Sequence, residues 1–539
     1  MELMKGVLPL LALLAASAAP AQLKFRDVAR ESGVDFVLEN SATPRKHMIE
    51  TMVGGVAVLD YNNDGRPDLF FSNGAELPAL TKTAPKHWNR LYRNDGAMKF
   101  TDVTEKAGVA GSTYAMGVAA ADYDNDGHAD LFVPGVDRNQ LFRNRGDGTF
   151  EEVAAKAGVA GGQWAVAAAW LDYDRDGRLD LWVTHYAKWS VAMDRFCGDA
   201  ARGLRVYCHP KYFEGLPNRL YRNRGDGTFE DVSAKAGLLF HASRGMSVAV
   251  ADFNRDGLPD VFVTNDNLPN FLFQNMSGGR FEEMALPGGV ALLDNGKPVA
   301  SMGADFRDYD NDGLPDIAVT ALSGETFPLF RNGGKAGFTD ATSSSRLAGA
   351  ALRFAGWGNG FADFDNDGWK DLFTANAHVN DIVEKFEPYV YRQPNAIFVN
   401  RAGKFALAGN TGLEASLRAH RGSALADLDG DGRVDIVVSA IGERAEVWRN
   451  ETPEAGSWVA FKLTGTKSNR NGLGAVITLA GQTNHATSSV GYSSSSLTPV
   501  HFGLGARDSV GPVDILWPSG QRQTIGAVST GRVLAVTEP

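Results

Sequence analysis

Short runs of small or alternating apolar residues recur along this chain, each ending on an aspartate, as in Gly117-Val-Ala-Ala-Ala-Asp122. Eight residues on, a second aspartate opens a run rich in β-branched and aromatic residues, as in Asp130-Leu-Phe-Val133 or Asp260-Val-Phe-Val-Thr264. Apolar runs this short, bounded by polar turn residues, predict strands rather than helices. A third run follows, such as Gln140-Leu-Phe-Arg-Asn144 or Arg219-Leu-Tyr-Arg-Asn223. A Gly/Asp turn then leads to a fourth run that opens on phenylalanine, at Phe100, Phe150, Phe229, Phe281, Phe338 and Phe405. Four strands per repeat is the make-up of one propeller blade.

The segment between the first two strands reads D-x-[DN]-x-D-G-x-x-D and occurs seven times. Positions 1, 3, 5 and 9 hold Asp60, Asn62, Asp64 and Asp68 in the first copy, then Asp122, Asp124, Asp126 and Asp130, and Asp172, Asp174, Asp176 and Asp180. The later copies hold Asp252, Asn254, Asp256 and Asp260; Asp308, Asp310, Asp312 and Asp316; Asp363, Asp365, Asp367 and Asp371; and Asp427, Asp429, Asp431 and Asp435. Calcium takes about six to eight oxygen ligands, and carboxylates or amides at these four positions can converge on one ion, with the position-7 carbonyl as a further oxygen. Glycine at position 6 permits the sharp turn. The first six positions look like an EF-hand, but position 12 is Phe71 or Val133 rather than glutamate, and the flanks are strands. Calcium, about seven ions, is therefore the expected cofactor. Magnesium is the runner-up, since it prefers fewer protein ligands.

Six fourth strands follow the first six loops, and the seventh loop is followed by only two strands, ending near Trp448-Arg-Asn450. The missing one stands at the other end of the chain. Phe25-Arg-Asp-Val28 followed by Glu31-Ser-Gly33 matches Phe100-Thr-Asp-Val103 followed by Lys106-Ala-Gly108. The expected fold is all-β: a seven-bladed propeller over residues 24–452, closed by its N-terminal strand, with a small β domain over 453–539. Turn chemistry accounts for the asparagine that ends each third strand.

Composition changes this picture in three places. The formal net charge of −11 argues against nucleic acid as a partner. Its source is the loops, and seven divalent ions would more than offset it. Lys5, the apolar run Val7 to Ala18 and Ala19-Pro20-Ala21 read as a cleaved export signal over 1–21, bacterial in style, and no later stretch is long and apolar enough to span a membrane. A secreted or periplasmic location follows as an expectation. There the two cysteines, Cys197 and Cys208, read most simply as a disulfide, with two unpaired buried thiols as the alternative.

The repeats resemble the FG-GAP/VCBS family, which includes the propellers of integrin α chains. In that family such loops are calcium sites, and the resemblance spans roughly residues 24–452. Trp458-Val-Ala-Phe-Lys-Leu463, Ser468-Asn-Arg-Asn-Gly-Leu-Gly-Ala475, His501-Phe-Gly-Leu-Gly505 and Trp517-Pro-Ser-Gly520 resemble the ASPIC/UnbV domain. The whole layout is similar to the cartilage acidic protein family and its bacterial relatives. Within the C-terminal segment Asn469, Arg470 and His501 stand out as polar positions, with turns and hydrogen-bonded edges as the plain explanation.

Strand direction puts the links between second and third strands on the face opposite the loops. A long insertion there, His185 to about Pro217, carries both cysteines with Tyr186, Trp189 and Tyr207, and suggests a stapled aromatic binding surface or a cover over a blade edge. His185, Asp266 and His378 are candidates for a polar cluster at the channel mouth. The sequence holds no G-x-S-x-G, H-E-x-x-H or Walker loop. Adhesion or recognition of an extracellular protein or glycan is the leading expectation. An enzyme built on the propeller scaffold (carbohydrate or secondary-metabolite chemistry) and a structural envelope or matrix protein are the alternatives.

Overall fold

The computed structural model describes residues 22–193 and 195–539; the expected export signal, residues 1–21, lies outside them. The chain is nearly all-β. Each acidic loop joins the first two strands of an antiparallel four-stranded sheet. The second such sheet, for example, runs Ala119–Ala121, Asp130–Val133, Gln140–Asn144 and Phe150–Glu152. Six sheets of this kind are present among the described residues, and a seventh, around the first loop, is extended to six strands by a later hairpin; the innermost strands of all seven neighbour one another in a closed ring. In the sheet around the last loop, the fourth strand is Phe25–Asp27, paired antiparallel to Glu446–Asn450 in the register Phe25↔Asn450. The two ends of the ring are thereby held together without an exposed edge.

The third-strand asparagines do more than make a turn. In the second blade the Asn144 amide donates to the carbonyl of Ala129 in its own loop and to the carbonyl of Tyr61 in the preceding blade, while its Oδ1 accepts from Gly146 N–H. Asn223, Asn275, Asn332, Asn400 and Asn450 reach back in the same way to Tyr123, Tyr173, Phe253, Tyr309 and Phe364. Asn94 closes the circle on Leu428. These side chains are buried, so each one satisfies carbonyls that water cannot reach.

The chain after the ring folds back over the loop end. A three-stranded sheet (Val500–Gly505, Ser457–Thr464, Arg532–Thr537) and a four-stranded one (Gln482–His485, Val476–Leu479, Val513–Leu516, Arg522–Ile525) enclose a core that includes Val459, Phe461, Ile477, Phe502 and Trp517. Between them a hairpin, Ser489–Val490 and Ser494–Ser496, enters the centre of the ring, and its second strand pairs parallel to Val56–Leu59. Inner strands turn unpaired N–H groups toward the channel, and serines answer them. Val56, Ala120 and Leu425 N–H donate to the hydroxyls of Ser494, Ser495 and Ser496 at 3.0–3.1 Å. At the tip, Tyr492 is fully buried, donates its hydroxyl to Met52 O at 2.6 Å and meets Trp357 edge-on. The walls must be close: a Cβ on Gly55 or Gly117 would stand 2.4 and 2.8 Å from Ser493 O. Nothing in the strand pattern announces this hairpin.

Candidate metal-binding loops and the opposite channel mouth

Each loop is wound by its own carboxylates. The position-1 side chain accepts the glycine N–H of position 6 in all seven copies, for instance Gly127 to Asp122 Oδ2 at 2.8 Å. The position-9 carboxylate accepts the position-2 N–H on one oxygen and the third-strand asparagine N–H on the other, as in Tyr123 and Asn144 to Asp130. Glycine at position 6 has φ between 83° and 100°, and position 4 is also left-handed, filled by Asn63, Asn125, Arg175, Arg255, Asn311 and Asn366, and by Gly430 in the last copy. Asparagine tolerates that region better than most residues. Asn125, Asn311 and Asn366 also donate to the position-6 carbonyl of the next loop.

These bonds gather the acids. In the second, third, fifth and seventh loops the carboxylates of positions 1, 3 and 9 offer oxygens within 4.8 Å of one another; in the sixth, Asp363, Asp365 and Asp367 do so. Buried oxygens remain without a hydrogen-bond donor: Oδ1 of Asp124, Asp174, Asp365 and Asp429, and of Asp308. Burial, with the neighbouring carboxylates adding to it, pushes Asp122, Asp308 and Asp427 up to about 6 and Asp172 to about 7. Burial likewise lifts Asp68 to about 8 and Asp316 to about 9. Crowded, buried carboxylates with oxygens left over suit a hard divalent cation. The donor set therefore fits a metal ion.

An arginine accompanies the extra acid. Where position 3 is aspartate, an arginine at the end of the third strand pairs with it: Arg143–Asp124 at 2.6 Å, Arg222–Asp174 and Arg401–Asp365 at 2.8 Å, Arg331–Asp310 at 2.5 Å, and Arg449–Asp429 at 2.7 Å. Where position 3 is asparagine, the pair is absent. Asn62 and Asn254 donate instead to Asp64 and Asp256, Arg93 turns to Asp95, and the fourth blade has Gln274 in place of the arginine. Sequence reasoning gave the turn role of the asparagine in these Arg-Asn pairs and missed the arginine. The available signal was an arginine on one side or the other of that asparagine after every loop with aspartate at position 3, although Arg93 follows the first loop as well and only the fourth copy lacks one.

The C-terminal sheets press on these loops. Asp122 N–H donates to Asn471 Oδ1, Arg470 N–H to Asn125 Oδ1, and Arg175 Nε to Pro518 O. His501 stacks on Trp458 and its Nε2 lies 3.1 Å from Gly432 O. Arg470 and His501 thus belong to the contact between sheets and loops, while Asn469 closes a local turn with Leu473. The sixth loop is the most deeply covered, and the first and fourth are the most exposed.

At the other channel mouth, Cys197 and Cys208 form a disulfide. Tyr186, Trp189 and Tyr207 are buried in a core shared with Met48, Trp164 and Trp357, so the aromatic surface expected of the insertion is instead the underside of a roof. Asp266 and His378 line one cavity of about 260 Å³ beneath that roof. His185 is buried outside its lining, beside Asn218, and burial lowers it to about 3.

A family model for the FG-GAP-like repeat matches residues 60–133, 134–183, 212–263, 252–319 and 308–374, more than half of the chain. The chain belongs to the FG-GAP-like repeat family. Residues 465–539 match a second model, ASPIC and UnbV, so the FG-GAP ring carries the domain that plugs it. Among curated proteins, cartilage acidic protein 1 of Xenopus tropicalis is 28% identical over 335 residues, 59% of this chain and 48% of that one. The Mus musculus protein of the same name is 26% identical over 331 residues, again 59% and 48%. The chain thus spans about half the length of the curated relatives it matches. Among solved structures, an Agrocybe aegerita lectin described as recognising non-reducing terminal N-acetylglucosamine aligns over 72% of this chain and 87% of its own, at 15% identity and a TM-score of 0.38. That likeness is too loose to bear on function. No helix among the described residues is long and apolar enough to cross a membrane.

Proposed function

We propose that this FG-GAP/ASPIC–UnbV protein is an exported recognition or adhesion module, with about seven Ca²⁺ ions stiffening its loop end and its opposite end presented to an extracellular protein or glycan. The observation that carries the reading is the repeated gathering of buried carboxylates with donor-free oxygens. Positions 1, 3, 5 and 9 of each loop would hold the ion, and residues 24–452 and 453–539 act as ring and cap. Residues 1–21 serve as the export signal, which places the module in the periplasm or outside the cell. Two cartilage acidic proteins among its relatives fit an extracellular setting.

Extracellular calcium modules have Kd of about 10⁻⁴–10⁻³ M. At about 1 mM calcium each site then adds roughly 0.4–1.4 kcal/mol, and seven add about 3–10 kcal/mol. Thermal unfolding of residues 22–539 in 1 mM calcium and in EDTA tests this: a large rise in midpoint with calcium is expected, and an unchanged midpoint would empty the loops of their role. A screen of glycans and envelope proteins in calcium tests the recognition half.

A further inference from the structure

The cavity at the mouth opposite the loops has an unusual charge balance. Asp266, Glu325 and Glu387 line it, and no lysine or arginine does. Asp266 is only 7% exposed and has no ion-pair partner among the described residues; its carboxylate is held by Tyr186 Oη at 2.8 Å and Asn267 Nδ2 at 2.9 Å. Arg244, whose charge reaches Asp266, donates its Nε to Phe213 O instead. Glu325 takes backbone N–H groups from Ala300 and Leu322 and lies near enough to feel the Asp266 charge. Two carboxylates held in place by donors, with no lysine or arginine among the side chains that line the cavity, make a positively charged group the fitting occupant.

The remaining wall narrows the choice. Met52, Met302 and Trp357 are buried and apolar. His378 is 4% exposed, and its Nδ1 accepts Asn380 N–H at 3.1 Å. Its proton therefore sits on Nε2, which has no hydrogen-bond partner among the described residues and can donate to a ligand oxygen. The exposed side chains of Glu387 and His209 stand at the rim, and the buried groups lie behind them. A bare divalent ion would leave the apolar wall unused, and a neutral sugar would leave the two charges unpaired.

We propose that this cavity receives an alkylammonium group, its charge between Asp266 and Glu325 and its methylenes against Met52, Met302 and Trp357. The group can come from a free amine or from a lysine side chain of a partner. This deepens, and rests on, the reading of this end as the ligand end.

The test is calorimetric titration of residues 22–539 in calcium with n-pentylammonium, 1-pentanol and Nα-acetyl-lysine amide. Saturable binding of pentylammonium is expected, at least tenfold tighter than pentanol, and weakened at least tenfold by Asp266→Asn and by Glu325→Gln. The asparagine keeps an acceptor for Tyr186, and a calcium-dependent melt checks that each variant folds; Glu325→Gln carries the test if Asp266→Asn does not. Tighter binding of the lysine amide points to a protein lysine, tighter binding of pentylammonium to a free amine. Equal binding of pentanol, no binding at millimolar amine, or competition by zinc alone in place of amine binding would overturn the proposal. A partner found by the glycan and protein screen whose binding ignores both substitutions would remove the cavity from the account while leaving the ligand end in place.

Discussion

The two ends of the channel are built on different rules. At the loop end the position-9 carboxylate makes the same two bonds in every blade, and the position-1 carboxylate takes the same glycine N–H. At the other end the strands share one bond, an asparagine (Asn89, Asn139, Asn218, Asn270) that accepts an N–H from the end of the second strand, but the links beyond it differ. One link carries a disulfide and a roof, others supply Asp266, Glu325 and His378, and the pre-ring segment Met48–Thr51 packs into the middle. An ion site tolerates little variation, because several oxygens must converge on one point. A link between strands need only return the chain, so its residues are free to carry specificity.

Calcium removal breaks the comparison hardest. With EDTA the loop end should lose the roughly 3–10 kcal/mol estimated for seven sites. The sixth loop sharpens it, since Asp363, Asp365 and Asn366 are buried under the C-terminal sheets while the first loop is largely exposed. Release of calcium to a fast chelator, followed by stopped flow and then by manual mixing, should show most ions leaving quickly and a minority slowly. A single fast phase would mean that the cover opens freely.

Next in size is the hairpin that joins the ends. Tyr492→Ala removes a buried aromatic side chain and should cost about 3–5 kcal/mol, read by urea unfolding in calcium. Tyr492→Phe, which loses only the hydroxyl bond to Met52 O, should cost about 1 kcal/mol. Equal, small losses for both would show that the tip is not part of the core.

Acid and base should act in opposite senses on the loop carboxylates and on Glu446 at the far end. In the metal-free protein, loop carboxylates such as Asp122 and Asp68 have folded values raised to about 6 and 8. Their contribution is complete below about pH 4 and lost as pH rises through those values. Glu446, among the links of the far end, behaves the other way. Burial would raise it, but His420, Ser416 and Arg418 outweigh burial and hold it at about 2. Its contribution is present above about pH 4.5 and lost as pH falls toward 2. Urea unfolding in EDTA from pH 3 to 9 should therefore show a falling limb above pH 5 that calcium abolishes, and a fall below pH 4 that Glu446→Gln blunts. A falling limb that survives calcium would detach it from the loops.

The same difference governs what could be read from the chain alone. The strands, the loops and the Phe25–Asp27 closure follow from a pattern repeated in register, where each copy checks the others. The cavity and the hairpin occur once. Ser493–Ser496 reads locally as a polar turn, and only the crowded Gly55 and Gly117, just before inner strands and more than 350 residues away, give it a reason. Tyr186, Trp189 and Tyr207 likewise look like a surface until the roof is folded over Trp164 and Met48.

The smallest effect probes the regularity itself. Five loops carry a fourth carboxylate with an arginine beside it, and two carry asparagine there, one with Arg93 turned away to Asp95 and one with Gln274 in the arginine's place. If the arginine is present to balance that carboxylate, the two features should be transferable together and not singly. Asn254→Asp replaces the amide that donates to Asp256 with a like charge, and in EDTA should cost about 0.5–1 kcal/mol, as expected for partly exposed charges. Gln274→Arg alone should change little. Combined, they should recover most of the loss, giving a coupling of about 0.5–1 kcal/mol in a double-mutant cycle read by urea unfolding. In calcium the penalty of Asn254→Asp should shrink, because the ion takes over the balancing. Purely additive substitutions would mean that the arginine stands beside position 3 for strand packing, and that the two kinds of loop differ in sequence but not in electrostatic design.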